Sequence, residues 1–113
     1  MGTHKGENIM RVVFHIDELN KWPLALTNVK NLLAVEKDAT VEVVAYAEAV
    51  SYYVGDRDLP EDLLGRVDFV ACNNALRALQ IETERLPAHV RVVPSGVVEI
   101  VHKQEEGYCY VRP

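Results

Sequence analysis

The feature that most constrains this chain is a series of short Val-rich runs separated by stretches with helical spacing. Ile9 to Ile16 carries Val12, Val13 and Phe14 without a break, Thr40 to Ala45 and Val67 to Ala71 are again rich in Val, and Val90 to Val93 follows. A strand with one wet face alternates apolar and polar residues. A continuous apolar run suits a strand buried on both faces, as in a parallel sheet covered by helices. Between the first two runs, Leu26, Val29, Leu32 and Leu33 recur at helical spacing, with Asn20 as the expected N-cap, Pro23 in the first turn, and Lys37 and Asp38 at the end. A short helix is expected over Ala47 to Tyr53, then a loop rich in Gly, Asp and Pro with one helical turn over Glu61 to Leu64. After the third run, Asn73 or Asn74 is expected to cap a helix through Ala75, Leu76, Ala78 and Leu79.

The segment after Pro94 is two-sided. Val97, Val98, Ile100 and Val101 favour strand by propensity. Their spacing favours helix, Ser95 suits an N-cap and Gly107 a C′ position, so a helix is expected over 95–106. Tyr108 to Arg112 reads as the last strand, with Tyr108, Tyr110 and Arg112 on one face and Cys109 and Val111 on the other. The alternating order of strand and helix predicts an α/β fold with a parallel sheet and helices on both faces.

At 113 residues the chain suits one domain, expected over 9–113 behind a polar lead-in over 1–8. A domain of this size hides roughly two thirds of its unfolded surface and needs no disulfide. No apolar run approaches the ~20 residues of a membrane helix, so no membrane partner is expected. Met1 to Asn8 has no apolar signal core. Cys72 and Cys109 do not form a secreted disulfide framework, and the expected compartment is the cytoplasm. The net charge of −5, without a basic stripe, argues against a nucleic-acid partner.

In an open parallel sheet, ligands gather at the carboxyl ends of the strands. That rule selects His15, Asp17 and Glu18 after the first strand, Tyr46 and Glu48 after the second, Cys72, Asn73 and Asn74 after the third, and Ser95 and Gly96 after the fourth. Cys72 stands just before a helix, where unpaired amides favour a thiolate. It is either a reactive thiol or a small apolar plug at a strand end. Cys109, inside a strand, reads as core filler. His15 either orients a thiol across the edge or bonds to backbone. His4 falls in the lead-in, and His89 and His102 read as solvated. Asp17 and Glu18 read as loop carboxylates. The Tyr52–Tyr53 pair and Gly55 to Asp62 form either a lid or a plain surface loop. No metal-ligand spacing and no glycine-rich phosphate loop is present, so neither a metal nor another cofactor is expected. Trp22, Tyr52 and Tyr53 read as exposed apolar positions that an oligomer would cover.

Three blocks carry a family resemblance. They are Val70-Ala71-Cys72-Asn73-Asn74-Ala75-Leu76, Val92-Val93-Pro94-Ser95-Gly96-Val97-Val98-Glu99-Ile100, and Gln104-Glu105-Glu106-Gly107-Tyr108-Cys109-Tyr110-Val111-Arg112-Pro113. With Val12-Val13-Phe14-His15-Ile16 they make the chain, from about Met10 to Pro113, similar to the DsrE/DsrF-like family. The resemblance implies a three-layer α/β/α domain with a five-stranded parallel sheet, layered as in flavodoxin-like folds. It also implies sulfur-relay chemistry, with a persulfide on the residue matching Cys72, trimers or hexamers, and a sulfur-donor or acceptor protein as partner. The segment between the second and third strands is shorter than is usual in that family. The resulting expectation is a sulfurtransferase-like carrier, with Cys72 and His15 as catalytic residues and Asp17, Asn73, Asn74, Ser95 and Gly96 as binding residues. The alternatives are a non-enzymatic oligomer holding a small ligand or anion, and a thiol redox sensor.

Overall fold

The computed structural model describes residues 9–113; the expected lead-in and His4 lie outside the described residues. The Val-rich runs become strands β1 (Arg11–Ile16), β2 (Thr40–Ala45), β3 (Val67–Cys72) and β4 (Val90–Val93), joined by β5 (Cys109–Val111). All pair in parallel, in the order β4-β3-β2-β1-β5. The helices are α1 (Trp22–Val35), α2 (Glu61–Leu64), α3 (Asn73–Ala78) and α4 (Gly96–Glu105). The expected α/β class with a five-stranded parallel sheet is therefore observed.

The strand order fixes which face each connection covers. From β1 to β4 the chain steps steadily toward one edge. Right-handed crossovers in that direction all fall on one face. There Trp22, Ala25 and Val29 of α1, Val50 and Tyr53 of the β2–β3 connection and Leu76 of α3 pack on Phe14, Ile16, Val43 and Phe69. To reach β5 the chain must travel back across the sheet, and the same handedness puts α4 on the other face. Ile100 and Tyr108 there pack on Val13, Val44, Val70 and Val93. Both faces of β1 and β2 are thus covered, which is why their apolar runs are nearly continuous. Among the described residues no helix is long and apolar enough to cross a membrane.

Several local expectations are corrected. Asn20 caps nothing: it lies in a 3-10 turn, Leu19–Lys21, and α1 begins at Trp22 with Pro23 in its first turn. The short helix expected over Ala47 to Tyr53 does form, as a 3-10 helix over Ala47–Val54. Cys72, not Asn73 or Asn74, occupies the N-cap of α3, and no side chain caps that end. Leu79 falls just past the last residue of α3 and is exposed. Trp22 and Tyr53 are core residues. The Trp22 ring stacks on Tyr52 at 4.4 Å and its Nε1 donates to the Ala49 carbonyl at 2.9 Å. Tyr53 donates its hydroxyl to the Val70 carbonyl at 3.0 Å. Cys109 is exposed rather than core filler, because among the described residues β5 is an edge strand bonded only to β1.

The helix expected over 95–106 forms, with Ser95 accepting from the Val98 amide at 3.4 Å. Gly107 ends it at φ +97°. A Cβ at Gly107 would meet only the movable tip of Arg11, so the backbone conformation decides the cost of substitution. Gly107→Val should lower stability by about 1–2 kcal/mol. Gly65, at φ −98° with open space around its Cα, should accept alanine without loss. Denaturant midpoints of the two variants check this contrast.

Candidate functional site

The loops after β3 and β4 leave adjacent strands toward opposite faces of the sheet, one into α3 and the other into α4. Such a reversal opens a crevice at the carboxyl ends of the two strands. Cys72 is in register with Val93, so the thiol stands at that crevice, opposite Ser95 and Gly96. A cleft of about 310 Å³ lies there, lined by Tyr46, Cys72, Asn74, Ser95, Gly96 and Val97. Gly96 permits the close approach of α4: a Cβ there would stand 3.1 Å from that of Tyr46 and 3.2 Å from that of Cys72. Ala47, the next residue after Tyr46, has φ +52°, so the cleft's rim stores backbone strain. Cys72 is only 4% exposed.

Of the expected site residues, the fold brings Cys72, Asn74, Ser95 and Gly96 together. Asn73 is half-buried and does not line the cleft. His15 does not reach Cys72. It stands two strands away, on β1, and level with Val70, two residues before Cys72, so the Cα atoms are separated by about 12 Å. Tyr46 comes between them: its ring packs on His15 at 4.3 Å while the same residue lines the cleft.

His15 belongs instead to a polar cluster between β1 and β5. Its Nδ1 lies 2.7 Å from the Tyr110 hydroxyl. Its Nε2 is buried without a hydrogen-bond partner among the described residues. Asp17 pairs with Arg112 at 2.7 Å and with Lys21 at 3.6 Å. Burial pushes the Asp17 carboxyl up, but Arg112 and Lys21 outweigh it and hold the group below its usual range. Burial lowers the His15 pKa, and Asp17 only partly opposes it. Asp17 thus ties the segment after β5 to the turn after β1 rather than facing the cleft.

The sequence marks Tyr46 only as a strand-end residue, because its place between His15 and Cys72 depends on strand order. It puts Tyr110 on a face of the last strand, but the pairing with His15 depends on β5 lying beside β1.

The His15 cluster has a pH signature. Its folded-state pKa lies below the ordinary 6.5, so its stabilising contribution is complete above pH 6.5 and is lost as pH falls through the folded value. NMR titration should find the His15 imidazole changing charge below 6.5. Tyr110→Phe, which removes the hydroxyl partner, should cost about 1 kcal/mol at neutral pH in a denaturant titration.

No family model matches the chain, and no curated protein does. Among solved structures, MTH1491 from Methanobacterium thermoautotrophicum, a protein of unknown function, is similar at 41% identity and a TM-score of 0.84, over 92% of this chain and 99% of that one. The YchN protein of E. coli is similar at a TM-score of 0.77 and 13% identity, over 93% of this chain and 100% of that one, which shows a shared fold. With a sheet, a connectivity and a full-length sequence match in common, the chain belongs to the same family as MTH1491.

Proposed function

We propose that this protein carries sulfur as a persulfide on Cys72, as a small sulfur-relay protein of the DsrE/DsrF type. The observation that carries the reading is the position of Cys72: a thiol at the crevice between β3 and β4, facing the amino end of α4 across a cleft that also holds Asn74. The fold shared with MTH1491 and YchN supports it. In the loading step, the Cys72 thiolate attacks the terminal sulfur of a donor persulfide. The donor's S–S bond breaks, its thiolate leaves, and a new S–S bond forms on Cys72 with no net oxidation. An acceptor thiolate removes the sulfur by the same exchange. In this reading, amides at the start of α4 and the Asn74 side chain, which line the cleft, stabilise the anionic terminal sulfur. Both cysteines are free, which suits a reducing cytoplasm.

A second reading, a ligand-binding module in which Cys72 is incidental, draws on a different observation. A groove of about 390 Å³ lies away from Cys72, lined by Tyr52, Arg57, Leu59, Pro87 and His89. It is formed by the Gly55 to Asp62 segment, which therefore walls a groove rather than covering the cleft. The two readings separate by intact mass spectrometry after incubation with a persulfide donor. The native protein should gain one sulfur atom, which cyanide or dithiothreitol removes, and Cys72→Ser should gain none. Sulfur uptake on Cys109 instead would favour the binding module. Gain of oxygen or a disulfide in place of sulfur would favour a redox sensor.

The reading includes self-association into a trimer or hexamer. The outward side of α4 exposes Val97, Val98 and Val101, each about half accessible. Trp22 and Tyr53, which are buried, contribute nothing to such a surface. Sedimentation at micromolar concentration should give a mass three or six times 12.7 kDa; a single monomeric species would rule the assembly out.

A further inference from the structure

The sheet face under α4 holds a buried acid that plays no part in the cleft. Glu42 lies in the middle of the Val-rich β2 and is 1% exposed. Its nearest cations are Arg91 of β4 and Lys103 of α4, each 3.6 Å away and beyond hydrogen-bond reach. Arg91 is committed elsewhere, to Asp68 of β3 at 2.8 Å and Glu99 of α4 at 3.0 Å. Lys103 is shared with the exposed Glu106 at 3.5 Å and lies over the Tyr108 ring. On β1 the residue in register with Glu42 is the apolar Val13.

As acceptors only, both Glu42 oxygens lack a hydrogen-bond partner among the described residues. Two carboxylates cannot bond each other. Glu42 and Glu99 approach the same Arg91 nitrogen, at 3.6 and 3.0 Å, so a proton on Glu42 turned toward Glu99 supplies the missing bond and removes their repulsion. The charge count points the same way: Glu42, Asp68, Glu99 and the exposed Glu106 draw on only Arg91 and Lys103, so the cluster is short of positive charge and a proton kept on the buried Glu42 relieves the deficit where it costs most. Loss of that proton leaves one buried negative charge without a counterpart, a costly state.

We propose that the Glu42–Glu99 pair is a proton-operated latch that holds α4 on the sheet, and that losing the shared proton loosens α4 and opens the cleft at its amino end. The helix is one wall of that cleft, through Ser95, Gly96 and Val97. Burial first, then the bond to Glu99 and the charges of Glu99 and Asp68, push the Glu42 carboxyl up to about 8, while Glu99 is held below its ordinary value. The stabilising contribution of protonated Glu42 is therefore complete below its ordinary 4.5 and is lost as pH rises through about 8. The inference stands apart from the role of Cys72: it concerns access to the cleft, whatever occupies it.

Hydrogen exchange of the full chain tests the latch, with rates corrected for the intrinsic effect of pH. Between pH 7 and pH 9, the amides of α4 should lose protection by on the order of tenfold, while those of β1 to β3 keep theirs. Glu42→Gln retains the shape and a donor toward Glu99 but cannot titrate, so its α4 protection should stay constant over the same range. At pH 9, Cys72 should also be alkylated faster in the native protein than in Glu42→Gln. Unchanged α4 protection in the native protein, an equal loss in Glu42→Gln, or a loss spread evenly over the sheet overturns the proposal. Should Glu42→Gln fail to fold, carbon-13 titration of the native glutamates decides. One carboxyl changing charge near pH 8 supports the latch, and none above the ordinary carboxylate range overturns it.

Discussion

β4 and β5 lie on opposite edges of the sheet, so one connection must carry the chain back across β3, β2 and β1. The handedness of parallel crossovers leaves that connection a single face to run along, the one that α1 and α3 do not use. Much else follows from this reversal. It separates the loops after β3 and β4 and so creates the crevice that holds Cys72. It makes α4 the helix under which Val44, Val70 and Glu42 are buried. It also delivers β5 to the free edge of β1, where Tyr110 meets His15.

The two faces are built unequally. One is a broad apolar layer with Trp22 and Phe69 at its centre. Each large side chain buried there contributes roughly 1.5–3 kcal/mol. The other has a smaller apolar cluster beside a network of charges. A helix resting partly on balanced charge is held by interactions that depend on protonation and geometry, whereas one resting on hydrocarbon is not. The cleft at Cys72 thus lies where α3, packed on the apolar face, meets α4, which rests beside the charges.

The strands were legible because double burial leaves a direct mark: Thr40 to Ala45 and Val90 to Val93 have the boundaries their composition indicates. Helix α4 was legible from Ser95 and Gly107, whose capping roles are local chemistry. Strand order was not legible, since no residue encodes which edge β5 joins. What depended on order was therefore missed or misplaced: the contact of His15 with Tyr110, the separation of His15 from Cys72, and the exposure of Cys109. Glu42 illustrates the same limit. A lone acid in a Val-rich strand carries no sign of which way it faces or what covers it. Trp22 and Tyr53 misled for a related reason: their burial comes from packing on each other across the β1–β2 and β2–β3 connections.

The pairing of β5 with β1 has a consequence for how the molecule forms. The strands β1, β2 and β3 and the helices between them join neighbours in sequence, and their contacts close over short loops. The His15–Tyr110 bond instead spans 95 residues. Its loop-closure cost must be met before it returns any energy, and the register of β5 is set only once α4 has crossed the sheet. Loop-closure cost therefore predicts that the β1–β5 seam is the last part of the sheet to assemble. The Tyr110 ring is placed where a spectroscopic probe would report completion of the fold rather than its initiation.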